Sequence, residues 1–160
     1  MIKLDKYDLA ILSILQQNGR ITKVALAEKV NLSPSPCWER LRRLEREGYI
    51  KGYRASVDLR KLTSVTEVLV EVALANHKSE DFQRFESAIQ VVPEIVDCWA
   101  TGGGMDYILK VVVNDIETYQ KLLDRLLEAG LGIDRYFSYI VTKSVKSASP
   151  SLDSLLAEKE

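Results

Sequence analysis

Apolar residues recur at every third or fourth position through the first fifty residues and then, from Thr66, at every second. Tyr7, Ile11, Ile14 and Leu15, with Leu12 alongside, make one helical stripe between Leu4 and Gln17. Asp5 is placed to cap the start of that helix, and Gly19 to end it in a left-handed turn. Thr22 caps a second, shorter helix reaching Val30, with Leu26, Ala27 and Val30 on its buried side, and "NLS" then forms a tight turn plugged by Leu32. The third helix opens at Ser33 before Pro34 or at Ser35 before Pro36. Proline is tolerated there because first-turn amides have no intrahelical partner. The restriction on a residue that precedes proline favours Ser35 as the cap.

Rotation by about 100° per residue gives this third helix, ended by Gly48, a core stripe of Cys37, Leu41 and Leu44. Ser35, Trp38, Glu39, Arg42 and Arg46 then face outward, Arg43 lies on their flank, and Arg40 sits near the core edge, where pairing with Asp8 would make it an internal brace. Three short helices with a tight turn between the last two are a helix-turn-helix, whose later helix enters the DNA major groove. "YIKGYRASVD" alternates and predicts a strand or small wing carrying Lys51 and Arg54.

In the second half, "TEVLVEVAL" puts Val68, Val70, Val72 and Leu74 on one face of a strand. Ser79 is expected to cap a helix with Phe82, Phe85 and Ile89. "EIVDCWA" and "DYILKVVV" flank the hairpin Gly102-Gly103-Gly104. Asp115 opens a helix bearing Ile116, Tyr119, Leu122, Leu123, Leu126 and Leu127, and "DRYFSYIVTKSVK" supplies the last strand. The order βαββαβ predicts an α+β chain, a winged helix-turn-helix followed by a ferredoxin-like domain with two helices on one face of an antiparallel sheet. The expected divisions are a DNA-binding domain over 1–52, a connector strand or linker over 53–65, the ferredoxin-like domain over 66–146 and a tail over 147–160, a short helix or frayed.

Composition adds a charge asymmetry. The net charge is -1, yet residues 1–58 hold 11 basic against 7 acidic residues, +4, while the remainder holds 11 against 16, -5. A basic first module suits a polyanion. No apolar run approaches the length of a membrane span, no secretory leader is evident at "MIKLDKYD", and Cys37 and Cys98 have no metal-like or redox-like spacing, so a reduced cytoplasmic setting is expected. There is no Ser/His/Asp set, metal cluster or phosphate loop, and His77 is the one histidine. No cofactor and no catalysis are expected.

The stretch "LDKYDLAILSILQQNGRITKVALAEKVNLSPSPCWERLRRLEREGYIKGY" resembles the helix-turn-helix of the Lrp/AsnC family, the leucine-responsive "feast/famine" transcription regulators. Leu4-Asp5, Asp8, Ile11-Leu12, Gly19-Arg20, Leu26-Ala27, Leu32-Ser33, Arg40, Leu44-Glu45, Gly48 and Ile50 carry the likeness, and with "GGGMDY" and the βαββαβ order it runs from residue 4 to about 146. The resemblance implies a carboxy-terminal amino-acid-metabolism regulatory domain, an effector that is an amino acid or derivative bound between dimers, a palindromic operator in double-stranded DNA, and self-association to dimers and octamers. Siroheme decarboxylases, which resemble the same architecture, are the competing enzyme class. The family's glycine before the Asp-Tyr pair falls on Gly103 or Gly102 here.

Under that reading, Ser33, Ser35, Trp38, Glu39, Arg42 and Arg43 are expected at or near the groove, and Arg46, Lys51 and Arg54 on the DNA backbone, with Trp38 as packing the alternative. Arg42 is the candidate for a bidentate guanine contact. Three glycines alone would make only a tight hairpin capped by Asp106. With the resemblance, Gly103, Gly104, Met105, Asp106 and Tyr107 become the edge of an effector pocket, joined by Thr101 and Ser138, because glycine leaves amides open to a carboxylate and an acid can hold an ammonium.

Overall fold

The computed structural model describes residues 3–156 and folds as two units, one formed by Met1–Ser56 with Lys146–Glu160 and the other by Val57–Val145. Within the tail, residues 157–160 lie outside the described part.

The first unit holds α1 (Lys6–Gln17), α2 (Lys23–Lys29) and α3 (Pro34–Arg46) around Ile11, Leu26, Ala27, Val30, Cys37, Leu41 and Leu44, all buried. Asp5 and Asp8 form a reciprocal capping box at the start of α1. Thr22 caps α2 through the Ala25 amide at 3.2 Å. Ser33, not Ser35, is the cap position of α3, so Pro34 and Pro36 both fall in the first turn, where neither missing amide breaks a helical bond. Gly48, at φ 76°, ends α3 as expected.

Two expectations fail in this unit. Gly19 does not adopt a left-handed turn; α1 ends at Asn18, and a Cβ on Gly19 would stand 3.3 Å from Cδ1 of Tyr53. Its glycine therefore makes room for that ring. Residues 49–58 join no strand ladder among the described residues, and the connector over 53–65 holds a 3₁₀ turn at Leu59–Lys61 and no strand.

The tail returns to this unit as α6 (Leu152–Leu156). Leu152, Leu155 and Leu156 line an apolar groove of about 500 Å³ with Leu9, Leu12 and Leu15 of α1 and with Tyr49 and Tyr53. The Tyr53 hydroxyl donates to Glu45 at 3.0 Å, and burial, then the Glu45 carboxylate, push its pKa up to about 12.

The second unit is a four-stranded antiparallel sheet in the order β2-β3-β1-β4, built from β1 (Thr66–Leu74), β2 (Ile95–Ala100), β3 (Tyr107–Val113) and β4 (Ile133–Ile140). One face carries α4 (Ser79–Gln90) and α5 (Ile116–Glu128), whose Phe85, Ile89, Tyr119, Leu122 and Leu126 share a core with Val68, Val70, Val72, Leu109 and Val111. This is the expected ferredoxin-like arrangement. Asp115 caps α5 through the Thr118 amide at 2.7 Å. Lys78, not Ser79, stands at the cap of α4. Ile116 and Leu127 are about two-fifths exposed, outside the core stripe they were expected to extend. The last strand stops at Ile140, well short of Lys146.

The helix-free face presents Trp99, Phe137 and Tyr139, each about half exposed, between a Glu67–Lys110 ion pair at 3.0 Å and a Tyr139–Glu71 hydrogen bond at 3.2 Å. At the end of this sheet, Ala73 pairs with Arg135 and Leu74 with Ile133, so Asp134 is passed over in a β-bulge.

Candidate nucleic-acid interface and ligand recess

The stripe that buries Cys37, Leu41 and Leu44 turns the opposite side of α3 to solvent, leaving Ser33, Ser35, Glu39, Arg42 and Arg46 exposed, followed by Lys51 and Arg54 on the extended segment. Arg42 has no carboxylate partner among the described residues; its guanidinium lies 6.0 Å from the Trp38 ring. Arg46 makes one loose contact with Glu47, at 3.8 Å. Because Pro34 and Pro36 carry no amide hydrogen and the Cys37 amide bonds Ser33 at 3.3 Å, the start of α3 offers little backbone to a phosphate. What this face presents is side chains.

Trp38 and Arg43 depart from the groove expectation. Trp38 is half-buried against the core, and the Lys23 ammonium covers its ring at 3.3 Å, so it packs and holds a cation in place. Arg43 is bound to Asp8 at 2.7 Å, and its buried Nε has no partner. Arg40 is the brace expected, reaching Asp5 at 2.7 Å and Asp8 at 2.9 Å. Lys23 went unnoticed in the sequence. Its place just after the Thr22 cap, on the helix preceding α3, was the available signal.

Asp5 titrates below the ordinary carboxylate range, held there first by the Asp8 backbone amide and then by the Arg40 guanidinium. A carboxyl depressed in the folded state stabilises above its unfolded pKa, and that contribution fades as pH falls through the folded value. Asp5→Asn should therefore flatten the loss of stability below about pH 4. Unfolding midpoints of both proteins along an acid series check this; parallel curves would mean that Asp5 carries none of the acid sensitivity.

In the second unit, a recess of about 380 Å³ gathers Ala73, Leu74, Ala75 and His77 from the end of β1 and beyond, Gly103, Gly104 and Asp106 from the hairpin, and Asp134 and Arg135 from the bulge. Asp106 accepts from the Leu74 amide at 2.8 Å and faces His77 Nε2 at 3.1 Å. The Arg135 guanidinium donates to the Gly104 carbonyl at 3.3 Å. Thr101 steadies the hairpin by donating to the Met105 carbonyl at 2.6 Å.

Gly103, Gly104 and Asp106 thus meet as expected, with Thr101 and Met105 behind them. Tyr107 and Ser138 do not join them. Tyr107 is buried and donates to Glu86 of α4 at 2.8 Å, facing a different hollow beside Cys98. Ser138 faces the helices, hydrogen-bonded to the Tyr119 hydroxyl. In both strands the pleat turns these side chains inward. His77, Asp134 and Arg135 are recess residues that sequence patterning did not single out. Among the described residues no group of three His, Cys, Asp or Glu side chains could hold a metal, and no helix is long and apolar enough to cross a membrane.

A winged helix-turn-helix DNA-binding model matches residues 4–51, and an Lrp/AsnC ligand-binding-domain model matches residues 67–151. The chain belongs to the Lrp/AsnC family. It is 53% identical over 156 residues to the transcriptional regulatory protein DoeX of Halomonas elongata, covering 96% of this chain and 99% of that one. It is 41% identical over 146 residues to the leucine-responsive regulatory protein of Haemophilus influenzae, 91% and 88% of the two chains. Among solved structures, an AsnC family transcriptional regulator from Agrobacterium tumefaciens superposes with a TM-score of 0.87 at 31% identity, over 96% and 99% of the chains. A Neisseria meningitidis transcriptional regulator in complex with L-Met gives 0.86 at 33%, over 94% and 96%. This Lrp/AsnC protein is thus a transcriptional regulator that joins a DNA-binding domain to a ligand-binding one.

Proposed function

We propose that this Lrp/AsnC regulator reads its operator with the outer face of α3 and senses an amino acid or derivative at the hairpin recess. The observation that carries the first half is Arg42, exposed on α3 without an acidic partner while its neighbours Arg40 and Arg43 are tied to Asp5 and Asp8. Ser33, Ser35, Glu39 and Arg42 serve as the groove contacts, and Arg46, Lys51, Arg54 and Lys23 as phosphate contacts. In the recess, the Arg135 guanidinium and the hairpin amides suit a carboxylate, and Asp106 or Asp134 an ammonium. The chain acts by binding and carries out no reaction on its effector.

A second copy of the chain is the occupant we assign to the helix-free sheet face. Trp99, Phe137 and Tyr139 give it an apolar centre, and the adjoining Glu67–Lys110 pair gives both signs of charge, as a self-complementary two-fold contact needs. Further assembly to octamers belongs to the same reading. Sedimentation of the full chain, with and without Trp99→Lys, tests the dimer.

The effector half predicts that Asp106→Ala keeps operator affinity but weakens effector binding about tenfold to a hundredfold, the worth of a charged hydrogen bond. Mobility shift and thermal shift on the same preparations separate the two outcomes. An undiminished effector response would move the site elsewhere.

A further inference from the structure

The family relationship leaves open which amino acid is sensed, and the walls of the recess bear on that choice. Resting on the reading that the effector binds at the hairpin, we infer that it is an amino acid with a basic side chain, not an aliphatic one.

The first ground is that the described residues of this chain give the recess no apolar wall. Of the recess residues, Leu74 sends its side chain into the core, where it is 3% exposed. Ala73 and Ala75 contribute only methyl groups. Leucine or methionine owes much of its affinity to burying its side chain, at about 0.8 kcal/mol per CH₂. Here that side chain would meet charged groups and backbone.

Charge is the second ground. Two carboxylates, Asp106 and Asp134, share the recess with one guanidinium, Arg135. An α-amino acid brings a carboxylate for Arg135 and one ammonium for an aspartate, which leaves the second aspartate uncompensated as water is displaced, a costly outcome. A second cationic centre on the ligand removes that cost. His77 relieves it in part for Asp106, which also accepts from the Leu74 amide, whereas Asp134 has no hydrogen-bond or ion-pair partner among the described residues.

The bulge supplies the third. In a regular strand consecutive residues point to opposite faces, so an adjacent acid and base would not share a site. Because β4 passes Asp134 over in its pairing with β1, Asp134 and Arg135 both line the recess. Bulges re-aim side chains in this way next to functional sites. The result sets a second acceptor beside Arg135, so that with the α-carboxylate on Arg135 and the α-ammonium on Asp106, Asp134 remains for the side-chain cation.

The experiment titrates the full-length protein with L-ornithine, L-lysine, L-leucine and L-methionine by calorimetry, then repeats the series on Asp134→Asn. That substitution is on an exposed residue and removes charge without changing shape. The expected result is binding of L-ornithine or L-lysine at least about tenfold tighter than L-leucine or L-methionine, with the preference lost in Asp134→Asn. Tighter binding of the aliphatic pair, still sensitive to Asp106→Ala, would overturn the basic-side-chain assignment and leave the hairpin site standing. Binding of none of the four would overturn the assignment as well, and insensitivity of any bound amino acid to Asp106→Ala would remove the hairpin site itself.

Discussion

Asp8→Ala is expected to destabilise the first unit by about 3 kcal/mol, the low end for breaking a buried ion pair. The Asp8 side chain is 1% exposed and accepts from Arg40 at 2.9 Å, Arg43 at 2.7 Å and the Asp5 amide at 3.1 Å. Removing it leaves Arg43 without a counter-charge beside an Nε that already lacks a partner. Arg40 retains Asp5, and both guanidinium groups keep some contact with water, which holds the cost below the upper end. The two tryptophans make the measurement direct, since Trp38 lies in the first unit and Trp99 in the second. With Trp99→Phe as background, Trp38 fluorescence in urea reports that unit. A loss under about 0.5 kcal/mol would place the bridge among ordinary surface pairs.

Arg42→Ala carries the second large effect, on DNA affinity and not on stability. A bidentate arginine–guanine contact is worth about 1–3 kcal/mol of discrimination, or roughly tenfold to a hundredfold in operator affinity. Arg42 is exposed, its guanidinium 6.0 Å from the Trp38 ring, so the unfolding midpoint should not move. Arg46→Ala provides the contrast. As a phosphate contact it should weaken every sequence alike and reduce the salt slope by about 1. Competition shift assays with operator and scrambled duplex at several salt concentrations separate the two. An Arg42 variant that loses both duplexes equally would be a backbone contact, and base reading would pass to Ser35 and Glu39.

What the sequence disclosed follows from which forces are local. The α3 stripe, the Asp5, Thr22 and Asp115 caps and the inward valines of β1 depend on neighbours three or four positions away or on simple alternation, so they were readable in one dimension. Residues 49–58 alternate as a strand does yet join no strand ladder among the described residues, and alternation alone cannot supply one. Gly19 differs for a related reason: the Tyr53 ring that crowds it lies over thirty positions on. Arg43 looked outward on a helical wheel, but its side chain is long enough to return to Asp8. In the recess, glycines and an acid announced the hairpin, whereas Asp134 and Arg135 depend on a skipped pairing partner that leaves no trace in "DRYFSYI". Tyr107 follows from its place in the motif and Ser138 from its place on the last strand, but the pleat turns both inward.

The tail's return to the first unit has a consequence for biosynthesis. On the ribosome, α1 to α3 emerge and can condense long before Leu152, Leu155 and Leu156 exist to line their groove. At common elongation rates the second unit takes roughly 5–20 s to synthesise, and through that interval Leu9, Leu12 and Leu15 present an oily surface to any chaperone near the nascent chain. A nascent chain stalled at Val145 should be retained by a hydrophobic trap that the released protein escapes.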